Sequence, residues 1–159
     1  MTCIAAAVDK NQVVMGGDSA GVSSASLEMD IRADAKVFKN GPMLMGFTDS
    51  FRMGQLLRYS LKVPPVPNKN IYKYMVTDFI NAVRECLTDG GYTTIRDGVE
   101  VGGTFLVAVS GRIFCVYSDF QVAESTFPYR AIGCGDRYAA VSYTHLRAHE
   151  TSLHLVCRL

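Results

Sequence analysis

The 159-residue chain has no tryptophan and only three histidines, and it has no apolar run long enough to cross a bilayer although 48% of it is hydrophobic. Each scarcity removes a class of function. His145, His149 and His154 all lie beyond residue 144, so residues 1–144 cannot supply a Ser-His-Asp triad, a Cys-His dyad or a histidine-rich metal site. Sixteen basic and fifteen acidic residues leave a formal charge of +1, without the electropositive excess that nucleic acid or an anionic membrane selects. The start lacks the charged-then-apolar pattern of a signal peptide, and the five cysteines contain no Cys-x-x-Cys pair. The expected setting is therefore the cytoplasm, with Cys3, Cys86, Cys115 and Cys134 reduced and mostly buried. No repeat, low-complexity tract or phosphate-binding loop occurs, nothing calls for a cofactor or metal, and the length suits one domain.

What is present is a hydroxyl at the start of the chain. Thr2 follows Met1 directly, and its small side chain favours removal of that methionine. The trimmed chain would carry a hydroxyl nucleophile and a free α-amine on one residue, and an amine titrating near ~8 is neutral often enough to accept the hydroxyl proton. Such a residue performs acyl transfer without histidine.

The segments that follow supply partners. Residues 2–8 form a β-compatible run, Asp9-Lys10-Asn11 has turn chemistry, and Gln12 to Ser19 runs back, which predicts a hairpin. With a three-residue loop, positions summing to 20 face each other and Asp18 lies opposite Thr2; a slip of one residue would separate their faces. Lys36 begins a short strand at Lys36-Val37-Phe38, where its ammonium could favour the threonine alkoxide while Asp18 orients it. Read by itself, Lys36 is also an ordinary strand lysine and Asp18 a turn cap.

Thr2, the strand Val13-Val14-Met15-Gly16-Gly17-Asp18-Ser19 and Lys36-Val37-Phe38 together resemble the opening of proteasome β-subunits and of the HslV peptidase, which are N-terminal nucleophile hydrolases. Gly46-Phe47-Thr48-Asp49-Ser50-Phe51 stands where that family has a glycine-rich strand-to-helix turn, and Ala131-Ile132-Gly133-Cys134-Gly135-Asp136 resembles its second Gly-Ser-Gly turn. The resemblance covers about residues 2–140 and implies a four-layer αββα sandwich, a peptidase ring of like subunits and an ATPase unfoldase as partner. Two departures stand out. The first turn lacks the glycine whose amide helps build the family's oxyanion hole, which leaves the Thr48 amide or a neighbour for that role. Cys134 replaces a serine near the nucleophile; it is either a weak auxiliary hydrogen-bonding group or a small buried residue of a tight turn.

Residues 141–159 resemble the translation of a transposase-type sequencing adapter. On that expectation 1–140 is an incomplete hydrolase domain and 141–159 a non-native tail that holds all three histidines and Cys157. Without Arg147, Arg158 and Glu150, fourteen residues of each sign remain. The family's further helix and strands after the second turn are then missing, and the chain as it stands is expected to be poorly folded and inactive, since lost apolar cover at ~25 cal/mol per Å² is large against ~5–15 kcal/mol of stability.

Between these landmarks the pattern is α+β. Pro42 to Phe47 reads as a strand, a helix begins near Ser50 with Phe51, Leu56 and Leu57 inward, and Pro64-Pro65-Val66-Pro67 separates it from a second helix over about Ile71 to Leu87. Ile71, Met75, Phe79, Val83 and Leu87 are its apolar stripe. Gly90 to Gly103 reads as polar loop, Ser110-Gly111 as the turn of a second hairpin, and Gly16-Gly17 as a crowded strand crossing. For the intact protein, the reading is a threonine peptidase acting on peptides or unfolded protein. A catalytically silent subunit, or an amidase or acylase of the same nucleophile class, are the alternatives.

Overall fold

The computed structural model describes residues 2–10, 12–22 and 28–148, with the backbone alone for 144–148. The chain opens with β1 (Cys3–Asp9) and β2 (Gln12–Gly17), the ribbon β3 (Ala20–Val22) and β4 (Met29–Ile31), the pair β5 (Val37–Asn40) and β6 (Met43–Phe47), and helix α1 (Phe51–Tyr59). A continuous rod follows: α2 (Ile71–Tyr74), a π turn (Met75–Phe79) and α3 (Ile80–Asp89). Then come the ribbon β7 (Thr94–Arg96) and β8 (Val99–Val101), the hairpin β9 (Phe105–Val109) and β10 (Arg112–Val116), β11 (Val122–Glu124), β12 (Tyr129–Gly133) and α4 (Asp136–Ala148). The class is α+β, with several sheets.

Two of those sheets face each other. One has the order β12-β1-β2 and the other β11-β10-β9-β6-β5, with every pairing antiparallel. Strand β9 shows why the run Phe105 to Val109 is apolar at every position: all five residues are buried. Phe105, Val107 and Val109 join Phe47, Met53, Leu57, Phe79 and Val83 in a core beneath the helices. Leu106 and Ala108 join Ile4, Ala6, Met15, Ile113 and Ile132 between the sheets. Helix α4 packs on β12 and β1, and the Tyr143 ring sits 4.2 Å from that of Tyr129.

The first hairpin departs from its predicted register. Asp9 pairs with Gln12 and Ile4 with Gly17, so the turn holds two residues, Lys10 and Asn11, instead of three. Lys10 has φ +44, as a two-residue turn that follows strand twist requires, and Asn11 lies outside the described residues. The ladder therefore brings Asp18 beside Cys3, not opposite Thr2. Of the two glycines, only Gly17 is crowded: a Cβ there would meet Ile4 Cδ1 at 2.4 Å, whereas Gly16 has open space.

The second helix runs further than its stripe suggested, to Asp89, and contains the π turn. Ile71, Met75, Phe79, Val83 and Leu87 are all buried. A stripe spaced strictly by four drifts around a helix of ~3.6 residues per turn, and a π turn, closed by i→i+5 bonds, takes back part of that drift. The supposed loop from Gly90 to Gly103 folds into β7 and β8 around Asp97 and Gly98, with φ of +50 and +79. Ser110 and Gly111 make the same kind of turn, with φ of +51 and +74.

Candidate active site

Three segments converge at the open end of the first hairpin. Beyond Gly17 the chain leaves β2, and the Asp18 carboxylate runs along the sheet edge, where Oδ2 accepts the Cys3 amide at 2.6 Å and Oδ1 the Ala20 amide at 2.9 Å. Lys36, immediately before β5, is 3% exposed. Its ammonium donates to Thr2 Oγ1 at 2.8 Å, to Asp18 Oδ1 at 2.8 Å and to the Ala20 carbonyl at 2.5 Å. Three donors meet three acceptors, so the threonine hydroxyl receives a hydrogen bond from a fixed cation. The structure thus brings together Thr2, Asp18 and Lys36, although the register that led sequence reasoning to Asp18 differs by one residue.

The electrostatics follow from this packing. Burial by itself would raise the Asp18 carboxyl, but the hydrogen bonds from Lys36, Cys3 and Ala20 and the lysine charge together hold it below the ordinary carboxylate value. Burial, with the charges of Asp18 and Asp136, raises the Cys3 thiol and keeps it protonated beside Thr2. The Phe51 ring lies 5.5 Å from Lys36 Nζ and 4.0 Å beneath the Arg32 guanidinium, which is itself paired with Asp34 at 2.7 Å. The same Phe51 ring, with Phe38, Phe47 and Tyr59, walls a cavity of about 140 Å³ that Asp34, Ala35 and Arg58 also line.

The two turns contribute differently. At Gly133, φ is +91 and a Cβ would stand 2.3 Å from the Thr2 carbonyl oxygen, while the Gly135 amide donates to that oxygen at 3.4 Å. Glycine at 133 lets the turn close on the backbone of Thr2, and glycine at 135 lets it close on Cys3, whose Cβ a side chain there would meet at 2.7 Å. The side chain between them points outward: Cys134 is exposed, and among the described residues its thiol bonds to none, which corrects the buried reading of that residue. Among the described residues the cysteines are less buried than expected, since of Cys3, Cys86, Cys115 and Cys134 only Cys115 is fully so.

Thr48 is buried, and its amide and hydroxyl both donate to the Thr104 carbonyl, at 3.1 and 2.9 Å. Its amide is therefore already engaged by a carbonyl in this structure. Tyr92 braces the same turn through a bond with Ser50; its phenol is raised first by burial and further by the Asp49 charge. Sequence reasoning missed the Ala20 carbonyl and the Cys3 amide because backbone groups carry no residue signature. Among the described residues no cluster of three or more His, Cys, Asp or Glu stands ready to hold a metal, and no helix is long and apolar enough to cross a membrane.

No family profile matches the chain, and neither does any curated protein. Solved structures do. BPH from Thiobacillus denitrificans in complex with epoxomicin superposes with a TM-score of 0.72 at 17% identity, over 96% of this chain and 82% of that one. HslV from Trypanosoma brucei gives 0.60 at 15% identity, over 95% and 82%. An Anbu variant from Hyphomicrobium gives 0.59 at 17% identity, over 98% and 68%. The fold is HslV-like. In this HslV-like arrangement the nucleophile candidate lies at the end of a sandwiched strand, and its partners come from the neighbouring strand end and the facing sheet.

Proposed function

We propose that residues 2–140 are the peptidase part of an N-terminal threonine hydrolase with an αββα sandwich, in which Thr2, freed of Met1, is the nucleophile. The observation that carries this reading is the Lys36 ammonium held 2.8 Å from Thr2 Oγ1 with its other two donors occupied. A lysine so committed stabilises a developing alkoxide and has no lone pair with which to take the proton. The base is then the α-amine of Thr2.

The steps balance on these groups. The amine removes the hydroxyl proton as Oγ1 attacks a peptide carbonyl, and the resulting ammonium returns that proton to the departing amine, leaving an ester on Thr2. Water, deprotonated by the same amine, then cleaves the ester and regenerates the hydroxyl. Asp18 orients Lys36 and keeps its charge opposed. The substrate is a peptide or unfolded protein whose side chain enters the aromatic cavity that Phe51 walls. Assembly into a homo-oligomeric ring in the cytoplasm, fed by an ATPase unfoldase, completes the proposal; the HslV-like fold and the helical assembly of the Anbu complex of Pseudomonas aeruginosa support only the association of like subunits.

The test is intact-mass analysis of the full-length natural protein carrying residues 2–140 after treatment with an epoxyketone. The expected product lacks Met1 and carries one adduct at Thr2, and Thr2→Ala carries none. A protein that keeps Met1 and cleaves peptides undiminished would refute the mechanism. Turnover of a small amide but of no peptide would replace peptidase with amidase.

A further inference from the structure

The turn from Phe47 to Ser50 has an unusual pattern of engaged and unengaged amides. Phe47 N donates to the Lys36 carbonyl at 3.2 Å, Thr48 N to the Thr104 carbonyl at 3.1 Å and Ser50 N to the Thr48 carbonyl at 2.8 Å. The last bond closes a three-residue turn centred on Asp49, whose φ is +62. A γ-turn with a positive central φ is rare and strained, and strain of this kind persists only where surrounding contacts enforce it. Two contacts do so here. Asp49 Oδ2 accepts the Thr104 amide at 2.8 Å, and the Thr104 carbonyl in turn accepts the Thr48 amide and hydroxyl. The result is a clasp between the β6–α1 turn and the start of β9.

The clasp stands beside the nucleophile. A Cβ placed on Gly133 would lie 3.2 Å from Thr48 Cγ2 and 2.3 Å from the Thr2 carbonyl oxygen, so turn, glycine and nucleophile meet at one point. Among the described residues the Asp49 amide donates to no acceptor, whereas its neighbours in the turn are all spoken for.

We propose that Asp49 is a positioning residue: its carboxylate, acting through Thr104, holds the strained turn so that its own amide stays free for the oxyanion formed when Thr2 attacks a carbonyl. This rests on the reading of Thr2 as nucleophile. A displacement of ~1 Å in such a donor lowers turnover about 100-fold.

Three substitutions in the full-length natural protein test it. Asp49→Ala removes the clasp and disfavours the positive φ; Asp49→Gly removes the clasp but makes that φ easy; Asp49→Asn keeps an acceptor and tolerates the left-handed region. Ala and Gly variants are expected to lose about 10- to 100-fold in kcat with KM within about two-fold. Alkylation of Thr2 by an epoxyketone should slow in step, and Asn should restore most of the rate. A Gly variant as active as the parent would overturn the proposal, because relief of φ strain would then be all that the site needs. So would an Ala variant with unchanged kcat. If Ala fails to fold, the Gly variant carries the decision. Failure of the parent itself to label at Thr2 removes the peptidase reading, whereas normal labelling in both parent and Asp49→Ala removes only the role given to Asp49.

Discussion

Lys36 is 3% exposed and is opposed by one carboxylate, Asp18, whose side chain is one-third exposed. Replacing both members of a buried ion pair by apolar residues is often neutral or stabilising, but removing one member leaves the other uncompensated, while a donor fixed at a developing oxyanion accounts for about 10²–10³ in kcat. Lys36→Met is therefore expected to lose at least about 100-fold in peptide hydrolysis with a modestly lowered Tm, since Asp18 loses its cation but keeps the Cys3 and Ala20 amides and one-third of its solvent contact, both measured on the same preparation. Asp18→Ala lowers stability further, because the charge it leaves is the more buried one. It strands the ammonium, at a cost of up to about 3 kcal/mol, the low end of the range for breaking a buried pair because Asp18 is partly solvated. Acid titration adds a sign. A carboxyl held below its ordinary value of 3.8 contributes stability that is complete above that value and disappears as the pH falls through the lower, folded-state value. The Tm difference between the parent and Asp18→Asn should thus stay constant from neutrality down to about pH 4 and close only below it. At the other end, kcat/KM should rise with pH through roughly 8 as the α-amine loses its proton.

Elements whose signal is periodic were legible, and those whose signal is a turn were less so. The stripe from Ile71 to Leu87, the Ser110-Gly111 hairpin and the start of α1 near Ser50 are where the residues placed them, and the structure adds a cap in which the Ser50 hydroxyl accepts the Arg52 amide at 3.1 Å. The β7–β8 ribbon was lost although Asp97-Gly98 is a strong two-residue turn signal, because three-residue strands with exposed Ile95 and Val99 lack a clean alternation. The first hairpin failed by one residue for a related reason: Asp9, Lys10 and Asn11 are all turn formers, and composition does not say which belongs to the ladder. Packing between elements was outside the reach of sequence. At Gly54, on α1, a Cβ would meet the Phe47 ring at 2.2 Å. Alanine there gains up to about 1 kcal/mol of helix propensity but overpacks a buried ring that also abuts Phe51, at a cost of about 1–3 kcal/mol, so the clash outweighs the gain. Gly54→Ala is expected to lower Tm by several degrees and, because Phe47 precedes Thr48, to lower kcat as well; calorimetry with peptide kinetics on one sample checks both.

The candidate site has no local existence at the scale of the whole molecule. Thr2 immediately precedes β1 of the three-stranded sheet and Lys36 immediately precedes β5 at the edge of the five-stranded one, while Thr48, Thr104 and Gly133 come from three further segments, so the cluster forms only when the sheets dock across Ile4, Met15 and Leu106. Close approach at that seam is permitted by missing side chains: a Cβ on Gly46 would lie 2.6 Å from Ile4 Cγ2 and 2.7 Å from Met15 Sδ. A site assembled from distant segments across a cooperative core should be lost with the core and not before it. In a urea titration, labelling of Thr2 by an epoxyketone is therefore expected to fall with the same midpoint as the far-UV circular dichroism. Gly46→Ala, which wedges the seam, should move both midpoints down together. Labelling lost well below the structural midpoint, in parent or variant, would show instead that the Thr2 end opens by itself, and that the sheets dock without needing the Thr2–Lys36–Asp18 cluster in place.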